Sequence, residues 1–196
     1  IDKPLIRSDL RRKLGKEYYI LKRKARDAFS GVRWAKIRPP EGRLYPLMEH
    51  RSIILRPLKD VEMYLQENKR TNLRLALVHL NGMMIAPGET FSVWHNVGRT
   101  SQAKGYLEGL VLHQGQICKG IGGGLCQLGN LLFWLVAHSP LTITERHRHT
   151  FDVFPDTHRQ VPFGAGATLS YNYIDFRFRN DTCDTYYLEL WMDDTY

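Results

Sequence analysis

The sequence predicts an α+β fold in which a buried helix, entered through a glycine-rich loop, packs on a mostly antiparallel sheet. Three observations predict it. Apolar residues recur at helical spacing in two N-terminal stretches, residues 127–138 are apolar on nearly every side, and short alternating runs dominate the C-terminal third. Helices, small strands, a glycine loop, one buried helix and then mostly strands follow one another in that order, which is an α+β pattern.

Residues 8–29 read as a basic helix, with Leu10, Leu14, Leu21, Ala25 and Phe29 at roughly helical spacing. Arg38-Pro39-Pro40-Glu41-Gly42 breaks the chain. This divides it into a basic helical N-terminal extension at 1–45 and an α+β domain at 46–196. A second helix is expected at 60–80, capped by Asp60 and stopped by Asn81-Gly82. Its apolar face holds Val61, Tyr64, Leu65, Leu73, Leu77 and Leu80, with a kink or second start near Asn72. Strands are expected at 83–86 and 91–93 around a Pro87-Gly88 turn, and at 110–112 before the glycine loop. The helix at 127–138 stops at Ser139-Pro140, and strands follow at 141–146, 168–178 and 186–192.

Of 196 residues, 43% are hydrophobic and 24% charged, which describes a globular chain and excludes a disordered one. The net charge of +8 is concentrated: residues 1–60 hold 17 Lys/Arg against 7 Asp/Glu, so the remainder is slightly acidic. A basic segment of this kind suits an anionic membrane surface or a wall polymer, or is simply a solvated helix face. Aromatics do not interleave with the basic residues beyond Tyr18-Tyr19 and Trp34, which argues against nucleic acid. No run approaches the ~20 apolar residues of a membrane span. On that reading the protein is cytoplasmic or membrane-peripheral unless a leader precedes Ile1. Cys118, Cys126 and Cys183 are an odd set without the spacing of a disulfide scaffold.

Cys126 carries the chemistry-bearing signal. It follows Gly120-Ile121-Gly122-Gly123-Gly124-Leu125 and opens the apolar helix. Glycines let a substrate approach the main chain, and a helix start lowers a thiol pKa from about 8.5. N–H groups around Cys126 and Gln127 are candidate oxyanion donors. In Glu145-Arg146-His147-Arg148-His149 the two histidines lie on one face of an extended segment, and either is a candidate base for the Cys126 proton. Asp175, on the later strand, is a candidate orienter of the imidazole. Gly122, Gly123, Gly124, Gln127, Arg146 and Tyr173 are candidate substrate contacts. The cysteine–histidine–aspartate order is loosely that of papain-like and transglutaminase-like folds.

Each signal has a structural counterpart. A cysteine is commonly a small buried hydrophobe, and Asp175 is placed to salt-bridge Arg177 or Arg179. Cys126, Glu145, His147 and His149 are also conceivable zinc ligands, but neither Cys-x-x-Cys nor His-Glu-x-x-His spacing is present, so no metal and no other cofactor is expected. The glycines lack the Lys-Ser/Thr of a phosphate loop.

The motifs together resemble the VanW family. They are Pro87-Gly88-Glu89-Thr90-Phe91-Ser92, Val97-Gly98, Lys104-Gly105-Tyr106, Gly120 to Gln127, Glu145 to His149, Gly166-Ala167-Thr168 and Tyr171-Asn172-Tyr173-Ile174-Asp175, in the expected order. The resemblance extends, through His50-Arg51 and Asn72-Leu73-Arg74-Leu75-Ala76, to stand-alone members associated with vancomycin resistance. It implies a cell-wall role, a peptidoglycan stem peptide or precursor as partner, and L,D-transpeptidase-like chemistry in which the family's cysteine matches Cys126. The expected function is therefore cysteine-dependent acyl transfer. A non-catalytic module that binds precursor or glycopeptide is the alternative, and a metal-dependent hydrolase is less favoured.

Overall fold

The computed structural model describes residues 8–55, 62–113, 116–148, 164–171 and 174–196, which form an α+β arrangement of four helices with small antiparallel sheets. Helix α1 (Asp9–Phe29) starts where the Ser8 hydroxyl accepts a bond from the Arg11 N–H at 3.4 Å. It buries Ile20 and leaves Leu10, Leu14, Tyr18 and Leu21 exposed. Helix α2 (Met63–Leu77) begins after Glu62, which supplies no side-chain cap; the expected cap, Asp60, lies outside the described residues.

Strand β1 (Lys36–Ile37) pairs with β2 (Met83–Ile85), which also pairs with β8 (Tyr186–Leu188). Strand β3 (Thr90–Ser92) pairs with β7 (Arg177–Arg179), and β7 with β6 (Thr142–Glu145). Strands β4 (Glu108–His113) and β5 (Gln116–Ile121) form a separate ribbon. Every one of these pairings is antiparallel, but the single expected sheet is three small ones. The short helix α3 (Val93–Val97) occupies the end of the strand expected at 91–93, because the Ser92 hydroxyl caps it through the His95 N–H at 3.0 Å.

The described residues of segment 168–178 do not form one ladder despite the alternation. Ser170 and Ile174 exchange both backbone bonds, at 2.9 and 3.0 Å, as an isolated antiparallel bridge, and the ladder starts only at Arg177.

Helix α4 (Cys126–Ala137) is the central element. Its Leu128, Leu132, Phe133 and Val136 are buried in one core with Leu73 and Ala76 of α2, Phe91, Phe176 and Phe178. Phe91 and Phe178, cross-strand partners in β3 and β7, stack at 4.6 Å. Among the described residues, no helix is long and apolar enough to cross a membrane.

Candidate functional site

The glycine loop is positioned by its own packing. Gly122 and Gly124 take φ of +76° and +92°, and a Cβ at Gly122, Gly123 or Gly124 would stand within 2.7 Å of Thr100, 2.1 Å of the Gly109 backbone and 2.2 Å of Lys69 respectively. The N–H groups of Gly122 and Gly124 bond the Leu107 and Leu110 carbonyls at 2.9 Å, and Gly123 N–H bonds Gly120 at 3.1 Å. Asn72, fully buried on α2, donates to the Gly123 carbonyl at 2.9 Å and exchanges bonds with Leu107. The side the glycines keep open is thus filled by the protein itself, and its product is a fixed entry for α4.

Cys126 opens α4, half-buried, its thiol donating to the Leu169 carbonyl at 3.8 Å. Burial pushes this thiol up in pKa, where the helix start alone predicted a fall. Alkylation of Cys126 in the folded protein is expected to inflect above the ~8.5 of a free thiol; an inflection near or below neutrality, followed by mass mapping, would show instead that the helix terminus dominates. Gln127 ties down the preceding chain: its amide donates to the Ser52 hydroxyl at 2.9 Å and the Ile53 carbonyl at 2.8 Å, while its backbone N–H bonds Gly124 at 3.1 Å.

One face of α4 lies along segment 164–169. Cys126 meets Leu169, Gly129 leaves room for the Ala167 carbonyl, and the Asn130 side chain accepts from the Ala167 N–H at 3.0 Å. The same segment is held on its other side by residues 146–147. The Arg146 guanidinium donates to the carbonyls of Gly166, at 2.9 Å, and Gly164, and lies 3.8 Å over the Phe133 ring. Thr168 N–H bonds the His147 carbonyl at 2.7 Å. Cys126 and His147 are therefore held by the consecutive residues Leu169 and Thr168. The ring of His147 is half-exposed, with Nε2 3.5 Å from Glu145 Oε1. His149 and Tyr173 lie outside the described residues.

Asp175 is fully buried in a different setting. Its carboxylate accepts from the Ser92 hydroxyl at 2.5 Å, Arg177 Nε at 2.8 Å, Phe176 N–H at 2.9 Å and Trp94 N–H at 3.2 Å. None of these donors is a histidine; the Arg177 alternative is the contact formed. Arg177 also binds Asp27 of α1 with both terminal nitrogens, at 2.9 and 2.7 Å. Burial raises the Asp27 carboxyl, but the Arg177 bonds and charge outweigh it, so its pKa is lowered. Glu145 joins the cluster: one oxygen accepts from the Asp175 N–H at 3.0 Å and faces His147, and the other pairs with Arg23 of α1.

Sequence reasoning missed Glu145 as the partner of His147, and the parts that Arg23, Asp27 and Ser92 take in this cluster. It placed Asn72 at a kink or second helix start and in a family motif, without its contact to the glycine loop; an amide on the mostly apolar face of α2 was the available signal. Among the described residues, no three His, Cys, Asp or Glu side chains are grouped to hold a metal ion.

Residues 68–196 match the family described as VanW like protein. The chain belongs to the VanW family. It is 44% identical over 133 residues to the Vancomycin B-type resistance protein VanW of Enterococcus faecalis, covering 68% of this chain and 48% of that protein. It is 30% identical over 158 residues to the uncharacterized protein YoaR of Bacillus subtilis, covering 78% of this chain and 50% of the relative. This VanW chain thus spans about half the length of the curated relatives it matches. No solved structure matches it. The VanW match includes Cys126, Glu145, His147 and Asp175, whereas α1, with Arg23 and Asp27, precedes it.

Proposed function

We propose that this VanW-family chain is a cysteine-dependent acyl-transfer protein of the cell wall, acting on peptidoglycan stem peptides, in the setting that the name of the enterococcal relative gives as vancomycin resistance. The observation that carries the reading is the fixation of Cys126 and His147 on neighbouring residues of one segment, Leu169 and Thr168, with Glu145 beside the imidazole.

The thiol rests protonated, so the reaction needs a base. His147 or His149 takes the proton as Cys126 sulfur attacks the stem-peptide carbonyl carbon. Glu145 Oε1, 3.5 Å from His147 Nε2, orients the imidazole. The Cys126 N–H, at the positive end of α4, stabilises the oxyanion. The carbon–nitrogen bond breaks, the base returns the proton to the leaving amine, and a thioester remains on Cys126. An acceptor amine then resolves it by transpeptidation, or water by hydrolysis. Intact-mass measurement of protein mixed with a stem tetrapeptide should show the acyl fragment on Cys126, absent from Cys126→Ala. If neither adduct nor product forms with the wild-type chain, the acyl-transfer reading is lost.

The protonated, half-buried thiol also favours a second reading, a non-catalytic stem-peptide binder. Calorimetry separates the two, since a binder retains its affinity in Cys126→Ala and shows no turnover in either form.

A further inference from the structure

Helix α1 has two differently used faces. The inner one anchors it to the rest of the molecule through Glu17 to Arg99, buried Ile20, Arg23 to Glu145 and Asp27 to Arg177. The outer one carries Leu10, Leu14, Tyr18, Leu21, Ala25 and Phe29, spaced four, four, three, four and four residues apart, which keeps them on one stripe. Leu10, Leu14, Tyr18, Leu21 and Phe29 are 68%, 63%, 59%, 64% and 90% exposed. A stripe this open over a 21-residue helix, about 30 Å long, is an interaction surface in search of an apolar phase.

Its flanks say which phase. Exposed Arg11, Lys22 and Arg26 line one side and Lys13 and Lys24 the other. The helix holds eight Lys/Arg against three Asp/Glu, and two of those acids, Glu17 and Asp27, are turned inward in ion pairs. A second copy packed stripe to stripe would bring cationic flanks against cationic flanks, which opposes self-association. An anionic lipid surface accepts both features at once, the leucines below the headgroups and the cations among them.

We infer that the outer face of α1 is an interfacial surface that docks this protein on anionic bilayers. The helix lies in the membrane plane, and its inner ion pairs hold the α+β core against that plane.

Flotation of the full chain with vesicles tests this. Vesicles containing phosphatidylglycerol are expected to carry at least about tenfold more protein than phosphatidylcholine alone, with binding falling as salt rises. Leu14→Glu with Leu21→Glu should abolish flotation, and Lys22→Glu with Arg26→Glu should reduce it by about tenfold or more. All four positions are exposed, and an unchanged circular dichroism spectrum confirms that the variants fold. Equal binding to both vesicle types, or none to either, overturns the inference. So does a concentration-dependent dimer that Leu14→Glu with Leu21→Glu dissolves, which would assign the stripe to a second copy.

Discussion

Replacing Asp175 by alanine is expected to lower the stability of the fold by about 3–5 kcal/mol, the cost of breaking a buried ion pair from one side. The carboxylate is fully buried and accepts four bonds. Its removal strands the Ser92 hydroxyl, the Trp94 and Phe176 N–H groups and one nitrogen of Arg177 in a site that water does not reach. Asp27 still holds the outer nitrogens of Arg177, which keeps the loss below that of a wholly unpaired guanidinium. Asp175→Asn keeps the volume but turns a donor toward groups that already donate, so it should also destabilise, though less. Urea unfolding reads both. A loss under about 1 kcal/mol for the alanine variant, with an unchanged denaturant slope, would mean that the cluster is dispensable.

That cluster also shows why part of the site was hidden from the sequence. Strand β6 opposes Thr142 to Arg179 and Ile143 to Phe178, and an irregularity in register then sets Glu145 opposite Arg177. A regular ladder would have placed Glu145 one step further along and separated the two charges. Asp175 and Arg177, two residues apart, share a face by strand periodicity, and this pair was legible as a salt bridge. Arg23 and Asp27 come from α1, more than a hundred residues away, and no local pattern announces such a contact.

Helices α1 and α4 were legible because their apolar spacing or continuous apolarity is intrinsic to the chain. The division into three small sheets was not, since strands of two to six residues carry little alternation to read. Cys126 was legible as the residue that opens α4, but its protonation was misjudged. The helix terminus is visible in sequence, and the burial that opposes it is a product of tertiary packing, which no local pattern shows.

Among the described glycines, Gly123→Ala is expected to be the most damaging substitution by alanine. The new Cβ would stand 2.1 Å from the Gly109 carbonyl carbon and 2.4 Å from its oxygen, backbone atoms that no rotamer change can move. Gly109 is fixed in turn by its pairing with Gly120 across the β4–β5 ribbon, and Asn72 pins the Gly123 carbonyl from α2. Relief requires the ribbon and the start of α4 to separate, which costs at least the ~3 kcal/mol of severe overpacking. Gly15→Ala is the matched control: it adds the same methyl in the interior of α1 with nothing within 4 Å, and should stabilise by roughly 0.5–1 kcal/mol. Thermal melts of the two variants should therefore move in opposite directions. Because the loop delivers Cys126 to Leu169, any Gly123→Ala protein that does fold should also lose the acyl adduct, a loss that Gly15→Ala does not share. A Gly123→Ala protein with wild-type stability would show that the ribbon and α4 can part freely, and the argument that the glycines exist to fix the entry of α4 would fail.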